Sequence, residues 1–431
     1  MGAGVERSYP YRTAEALNSV FGRSPLRRVV VTGLGIVSCI GNDLDTVEHA
    51  LREGRSGIRY VPEYAELGLR SCVAGVPDIS SEPSVDRKIR RFMGDAALYA
   101  YHATRRALLD AGLDRKAIST PRAGLIVGSG VGSPFEHSTA IDMLRAKGIS
   151  KVLPYGVPRV MGSTTSACLS TAFGIQGASY SMTSACATSA HCIGHGAELI
   201  QFGKQDIVIA GGAEELRWTS TMLFDAMGAL STAFNDATAS RPYDIQRDGF
   251  VIAGGAGILV LEELEHARRR GAHIYAEVVG YGACSDGLDM VTPSPDGAAR
   301  AMRLALSEAG GKVDYINTHA TSTKLGDVGE LAAIGEVFGN AFGNCMPLIS
   351  STKGITGHPI AAAAAHEAVY SLLMLEHEFI AGCTNLEQPE PACAGLPVLR
   401  QSIDQRIDTF MSNSFGFGGT NASLIFRRLY S

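Results

Sequence analysis

Short apolar runs rich in Val and Ile alternate along this chain with longer amphipathic or small-residue stretches. A short run bounded by Gly, Asn or Asp reads as a strand, and apolar residues three and four apart read as a helix. The first strand is predicted in "RRVVVTGLGIVSCIGND" (27–43) and a helix in "DTVEHALREG" (45–54). One long helix is predicted over "VDRKIRRFMGDAALYAYHATRRALLDAGL" (85–113), apolar on one face and basic near its start. Then come a buried strand and loop in "RAGLIVGSGVGSP" (122–134) and a small-residue helix in "TTSACLSTAFGI" (164–175). "ASYSMTS" (178–184) is a predicted strand running into Cys186, with the helix "CATSAHCIGHGAELIQFG" (186–203) behind it. "DIVIAGGAEE" (206–215) and "AGILVLEELEHARRRG" (256–271) close this half.

The second half repeats the alternation. Strand "IYAEVVGYGA" (274–283), helix "DGAARAMRLALSEAGG" (296–311), strand and turn "VDYINTHATST" (313–323) and helix "LGDVGELAAIGEVFG" (325–339) follow in order. "MPLISSTKGITGHP" (346–359) leads into the long apolar helix "IAAAAAHEAVYSLLMLEHEF" (360–379). "TFMSNSFGFGGTNASLIFRRL" (409–429) reads as two strands around a glycine hairpin. Strands that are apolar throughout are buried on both faces, so the pattern predicts a layered α/β fold. The similar order of the halves suggests an internal duplication. The expected division is an extension over residues 1–27, a first half over 28–270 and a second over 271–431.

Composition narrows this picture. The chain has 431 residues, 45% of them hydrophobic and 19% charged, which suits a globular protein with a large core. A net charge of −5 supplies no global basic field, so nucleic acid is not an expected partner. No apolar run is long enough for a membrane span, and the first residues lack the apolar core of a signal peptide. The nine cysteines are odd in number and form no CxxC pair, which argues against a disulfide framework or zinc ribbon and for reduced thiols in the cytoplasm.

Four stretches carry candidate chemistry. Cys186 lies where a strand meets a helix N-terminus, whose N–H groups and dipole favour a thiolate. Small neighbours leave room beside it, so it reads as a nucleophile or as a buried structural cysteine. His191 and His195 stand at i,i+4, a metal-binding spacing, but no acidic third ligand accompanies them and a structural role is expected. In "INTHATST", His319 follows a buried strand and precedes the hydroxyls of Thr321, Ser322 and Thr323, suiting proton handling or oxyanion binding, or a plain polar turn. In "SSTKGITGHPI", Lys353 and His358 share a glycine-punctuated loop, and Glu367 on the next helix is placed to pair with Lys353. In "NSFGFGGTN" (413–421), glycines let the backbone approach closely, so an N–H near Phe417 is a candidate oxyanion donor. "GLGIVS" (33–38) lacks the third glycine of a dinucleotide fingerprint, and neither a P-loop nor a GxSxG elbow occurs.

Taken in order, Cys186, His319, Lys353 and His358, with "SACATSAH", "THATST", "TKGITGH", "NSFGFGGTN" and "RPYDIQRDGFVIAGG" (241–255), resemble the β-ketoacyl-[acyl-carrier-protein] synthases. The likeness is to the decarboxylating enzymes with a Cys-His-His triad, spans about residues 28–431, and is nearest the synthase I branch. It implies a thiolase-like duplicated α-β-α-β-α layered fold, usually a homodimer, acting in fatty acid synthesis. Cys186 would carry the acyl chain. His319 and His358 would hold the malonyl thioester carbonyl and stabilise the enolate left by decarboxylation. Lys353, held by Glu367, would tune the electrostatics. The N–H groups of Cys186 and Phe417 would form the oxyanion hole.

The resemblance further implies that Thr321 and Thr323 bind the pantetheine arm and that Phe415 gates the acyl pocket. Asn317, Glu330, Glu367, Ser412 and Asn413 correspond to residues around a structural cation. No cofactor is implied for catalysis, since substrates arrive on the phosphopantetheine of acyl carrier protein. That partner is acidic, and Arg87, Lys88, Arg91, Arg145, Lys147 and Lys151 offer a basic dock or an ordinary solvated face. Ala320, Ala361 and Ala364 stand where the family usually has Gly, which touches pocket shape rather than the triad. Competing readings are a ketosynthase of a specialised polyene or polyketide pathway, a thiolase acting on CoA esters, and a non-catalytic chain-length partner. The thiolase lacks support because no cysteine falls in the C-terminal turn, and the chain-length partner because Cys186 is present.

Overall fold

The computed structural model describes residues 26–339 and 346–430. Residues 1–25 of the expected extension lie outside the described residues. Arg27, at its end, pairs with Asp206 at 2.7 Å and Glu263 at 3.4 Å.

Ten strands form the main sheet: β1 (Val29–Val37), β2 (Ala123–Gly128), β3 (Ser179–Tyr180), β4 (Ile207–Glu214), β5 (Gly255–Glu263), β6 (Ala276–Ser285), β7 (Tyr315–Asn317), β8 (Leu348–Ser350), β9 (Thr409–Gly416) and β10 (Thr420–Arg427). Their order is β8-β7-β9-β10-β6-β1-β5-β4-β2-β3. Each half therefore runs third, second, fourth, fifth, first. In each, the third, second and fourth strands are parallel while the fifth is antiparallel to both neighbours. Within the sheet the halves meet where β1 pairs with β6, at Val30↔Glu277 and Val31↔Ala276. Repetition of order and direction makes the duplication a topological fact.

Six helices complete the layers: α1 (Asp95–Asp110), α2 (Thr164–Phe173), α3 (Thr188–Gln201), α4 (Pro295–Ala309), α5 (Lys324–Gly339) and α6 (Ala363–His377). α1 and α2 cover one outer face, α4 and α5 the other, while α3 and α6 touch each other in the middle and reach both halves. The sequence pattern follows from this placement. Every residue of β1, β4 and β5 is buried, as is every residue of α6 from Ala363 to Leu375. A helix in the middle layer has no polar face to spare. This is the thiolase-like α-β-α-β-α stack.

Two local expectations change. The long helix over 85–113 is two pieces, Arg87–Arg90 and α1, separated at Gly94, whose extended backbone caps α1. The strand before Cys186 is only Ser179–Tyr180. Beyond it the chain leaves the sheet to approach the second half.

The rejected "GLG" fingerprint has a packing purpose. A Cβ at Gly35 would sit 1.9 Å from the Ala103 carbonyl oxygen of α1, and one at Gly282 in β6 2.0 Å from the Ala301 carbonyl oxygen of α4. The same strand-on-helix approach recurs in both halves. Gly35→Ala and Gly282→Ala should each cost about 3 kcal/mol or more of unfolding free energy in urea, because backbone rather than a flexible side chain blocks the methyl.

Candidate active site

The site forms where loops from both halves meet beyond the carboxyl ends of parallel strands. Cys186 follows β3 and precedes α3; His358 follows β8 and precedes α6. Their turns occupy equivalent places in the two halves. His319 stands two residues beyond β7. The Cys186 Sγ lies 3.1 Å from His358 Nε2, and the two imidazoles cross edge to face with centroids 5.2 Å apart. Cys186, His319, His358, Thr321, Thr323, Phe415 and Phe417 line one cavity of about 420 Å³.

The turn that presents Cys186 is strained: Ala185 has φ +50°, a left-handed conformation costly for a residue with a Cβ. Its neighbours hold it. Ser184 Oγ bonds His191 Nδ1 at 2.7 Å, and Thr420 Oγ1 donates to the Ser184 carbonyl at 3.0 Å. Thr420 thereby fastens the β9–β10 hairpin to the nucleophile turn. Gly416 in that hairpin is needed, since a Cβ there would lie 3.0 Å from Ser184 O and 3.1 Å from Cys186 N. The Phe417 N–H consequently reaches the thiol alongside the N–H of Cys186 itself. His195 Nε2 bonds the Tyr180 hydroxyl at 2.7 Å, so each histidine of the i,i+4 pair serves a different local contact.

His319 is set by two carboxylates on one face of α5. Glu330 accepts the N–H of His319 at 3.0 Å and of Ala320 at 2.9 Å. Asp327 accepts the N–H of Thr323 at 3.2 Å and of Tyr243 at 2.9 Å. Between them sits Ser322, at φ +72°, its hydroxyl accepting from the Arg241 N–H at 3.0 Å. Arg247, 1% exposed, pairs with Asp327 at 3.3 Å and donates to the carbonyls of Thr323 and Lys324. Tyr243 OH donates to Thr318 Oγ1 at 2.6 Å. The segment "RPYDIQRDGF" thus braces the loop carrying His319, Thr321 and Thr323, a role not assigned to it from sequence. The spacing of Asp327 and Glu330, three apart in a helix, was the available signal.

Lys353 and Glu367 form a fully buried ion pair behind the cavity. Lys353 Nζ also reaches the Thr318 carbonyl at 3.5 Å. Burial pushes Glu367 up to about 7, opposed by the Lys353 ammonium. Burial, then the Lys353 charge, holds both His319 and His358 well below the usual imidazole range. They are neutral donors or acceptors. For Cys186, burial pushes the thiol up to about 12, against the pull of Lys353 and the Phe417 N–H. Desolvation thus works against the helix-end effect expected from sequence, while the sulfur lies against His358 Nε2.

Of the remaining predicted residues, Asn413 donates to Glu330 at 3.1 Å, and Ser412 pairs in register with Asn317. Arg87, Lys88, Arg91, Arg145, Lys147 and Lys151 are all exposed and outside the cavity. The Arg91 guanidinium stacks 5.0 Å from the ring of Tyr155, which lies four residues beyond Lys151. Ala320, Ala361 and Ala364 are fully buried.

The assembled groups suit acyl transfer: a thiol, two neutral imidazoles and two backbone N–H donors converge on one cavity. Known proteins agree with that chemistry. Residues 26–267 match the family model described as "Beta-ketoacyl synthase, N-terminal domain", and residues 275–387 match "Beta-ketoacyl synthase, C-terminal domain". The 3-oxoacyl-[acyl-carrier-protein] synthase 1 of Haemophilus influenzae is 54% identical over 407 residues, covering 94% of this chain and 99% of that protein. The crystal structure of a beta-ketoacyl synthase from Burkholderia phymatum superposes with a TM-score of 0.88 at 38% identity, covering 94% of this chain and 100% of that one. A ketosynthase solved in complex with its type II PKS acyl-carrier protein superposes with a TM-score of 0.85 at 32% identity over the same shares.

Two outcomes are expected. Lys353→Met should cost about 3–5 kcal/mol by leaving Glu367 buried and unpaired, and Lys353→Met with Glu367→Leu should recover most of it, read by urea unfolding. Alkylation of Cys186 by iodoacetamide, followed by mass spectrometry, should keep rising about tenfold per pH unit beyond pH 9, because only the thiolate reacts.

Proposed function

This chain belongs to the beta-ketoacyl synthase family, and from that premise we infer that it is a condensing acyltransferase extending acyl chains by two carbons for fatty acid synthesis. The observation that carries this is the convergence of the Cys186 thiol, the two neutral imidazoles and the Cys186 and Phe417 N–H groups on one cavity. The acyl group moves first. Attack by the Cys186 sulfur on an acyl thioester forms a new C–S bond, breaks the old one and releases the carrier thiol, which takes the proton from Cys186. The tetrahedral oxyanion is held by the Cys186 and Phe417 N–H groups, and each such donor is worth about 3–4 kcal/mol in transition states of this kind.

A malonyl thioester then binds with its carbonyl toward the Nε2 atoms of His319 and His358. Loss of CO2 leaves an enolate, whose charge the two N–H donors meet. Neutral imidazoles stabilise that charge without surrendering a proton, so the carbanion survives to attack the acyl carbon on Cys186. Burial, reinforced by the Lys353 charge, keeps the rings neutral, and Glu367 makes the burial of Lys353 tolerable. The product is a 3-oxoacyl thioester, and Cys186 is regenerated. Thr321 and Thr323 hold the pantetheine arm on the braced loop, and Phe415, 6.0 Å from His319 between centroids, gates the acyl pocket.

Several further assignments rest on the same reading. The carrier is acyl carrier protein, docked on the basic residues from Arg87 to Lys151. The assembly is taken as a homodimer, as the family resemblance implies. The cytoplasm suits the free thiols of all eight described cysteines. Among the described residues no helix is long and apolar enough to cross a membrane. A structural cation fits near Asn317, Glu330, Glu367, Ser412 and Asn413: Asn317 Oδ1, Glu367 Oε2 and Ser412 Oγ are buried without partners, and oxygen donors suit a hard cation. No catalytic step passes through it. The first half is taken as 28–270 and the second as 271–431 on the repeated strand order. Identity of 54% to a synthase 1, against 32% to a ketosynthase of a type II PKS, favours fatty acid synthesis over a specialised pathway.

Incubation with acyl-acyl carrier protein should place one acyl adduct on Cys186 by peptide mass spectrometry, and addition of malonyl-acyl carrier protein should convert it to the 3-oxoacyl product. Cys186→Ala should give neither. Wild-type protein without adduct and product would overturn the assignment.

A further inference from the structure

Glu214 ends β4 and is buried beneath the site, 2% exposed. One of its oxygens, Oε2, accepts the N–H of Gly130 at 3.0 Å and the N–H of Ala361 at 3.2 Å. The Val131 N–H also points at this carboxylate. Gly130 and Val131 lie in the turn after β2; Ala361 lies three residues after His358. A single carboxylate therefore ties together turns from opposite halves of the chain.

What Glu214 holds on the second half is strained. Ile360, between His358 and Ala361, has φ +42°. A β-branched residue in that region is a genuine outlier and persists only where its surroundings over-determine it. The Ala361 N–H bond fixes the peptide that follows Ile360. Ile360 lines the cavity, and Cys186 packs against the same apolar cluster. On the other side the fit leaves no slack: a Cβ at Gly130 would lie 2.5 Å from Glu214 Oε2 and 3.6 Å from the Ala361 methyl.

The charge of Glu214 matters as well as its reach. Its field disfavours the Cys186 thiolate. Burial, with the like charge of Glu215, pushes Glu214 up to about 7, while the three N–H groups hold it down.

We propose that Glu214 is a positioning residue: it locks the strained Ile360 turn so that His358 faces Cys186, and it fastens the Gly130–Val131 turn to the same point. This rests on the roles of Cys186 and His358 inferred above. Glu214→Gln keeps the shape, removes the charge and places an amide where the carboxylate bound N–H groups.

Condensation kcat should fall about tenfold in Glu214→Gln with little change in KM. Iodoacetamide should alkylate Cys186 faster above about pH 7, where the wild-type carboxylate is charged, because that negative charge is gone. Glu214→Asp should keep the wild-type alkylation profile but lose kcat, since its reach is shorter. In an Ile360→Gly background, where positive φ carries no strain, Glu214→Asp and Glu214→Gln should lose much less kcat than in the wild-type background. A purely structural role would lower Tm and depress acylation and condensation equally while leaving the alkylation profile in place. That result, or wild-type kcat in Glu214→Asp, overturns the proposal, and the aspartate variant decides the matter if the glutamine variant does not fold. Inactive wild-type protein would instead defeat the condensing-enzyme reading, with the alkylation comparison still readable.

Discussion

The buried ion pair between Lys353 and Glu367 is the constraint on which the rest of the site depends. Two charges removed from water are expensive, and their attraction returns that cost only when the geometry is good. Here the outlay has an electrostatic use. The ammonium adds to burial in keeping His319 and His358 neutral, and it partly offsets the penalty on the Cys186 thiol. It also links three elements: the loop after β8, the middle-layer helix α6 that carries Glu367, and the Thr318 carbonyl just before His319. An apolar replacement of both groups would satisfy the core but leave the imidazoles electrostatically unsupervised.

Duplication explains why such a site can be assembled at all. Equivalent turns after the third strand of each half present Cys186 and His358, and each turn contains a residue at positive φ, Ala185 before the thiol and Ile360 after the imidazole. The middle helices α3 and α6 begin at these turns and pack on one another. Strain in the turns is balanced by hydrogen bonds from other parts of the chain: Thr420 and His191 at one, Glu214 at the other. The chemistry of the two halves has diverged while the scaffold kept its symmetry.

Much of this was legible in the sequence because it is local. Continuous apolar runs marked the buried strands, the long apolar stretch of α6 marked a helix, and the order of Cys186, His319, Lys353 and His358 marked side chains that the fold gathers at one place. The less legible parts depend on contacts between distant residues. Asp327 looks like an ordinary helix acid, and Glu330 like one near a cation, until the loop before them folds back onto both carboxylates. Arg247 reads as a surface charge, yet it is buried against Asp327. Glu214 ends an apolar strand, and only the meeting of the turns at Gly130 and Ala361 shows its use. The split at Gly94 and the two-residue β3 were likewise set by tertiary packing, which overrides periodicity at the ends of elements. The burial that opposes a Cys186 thiolate was hidden for the same reason, since burial is a property of the folded cavity.

On the mechanism proposed above, acyl transfer and decarboxylation use different groups of one cavity. The most direct measurement is single-turnover kinetics on His319→Ala, following acylation of Cys186 and CO2 release from the malonyl thioester separately. Acylation should stay within a few-fold of wild type and CO2 release should slow by about a hundredfold or more, the usual scale for removing one donor to a developing negative charge. Equal slowing of both steps, or CO2 release at the wild-type rate, would contradict it.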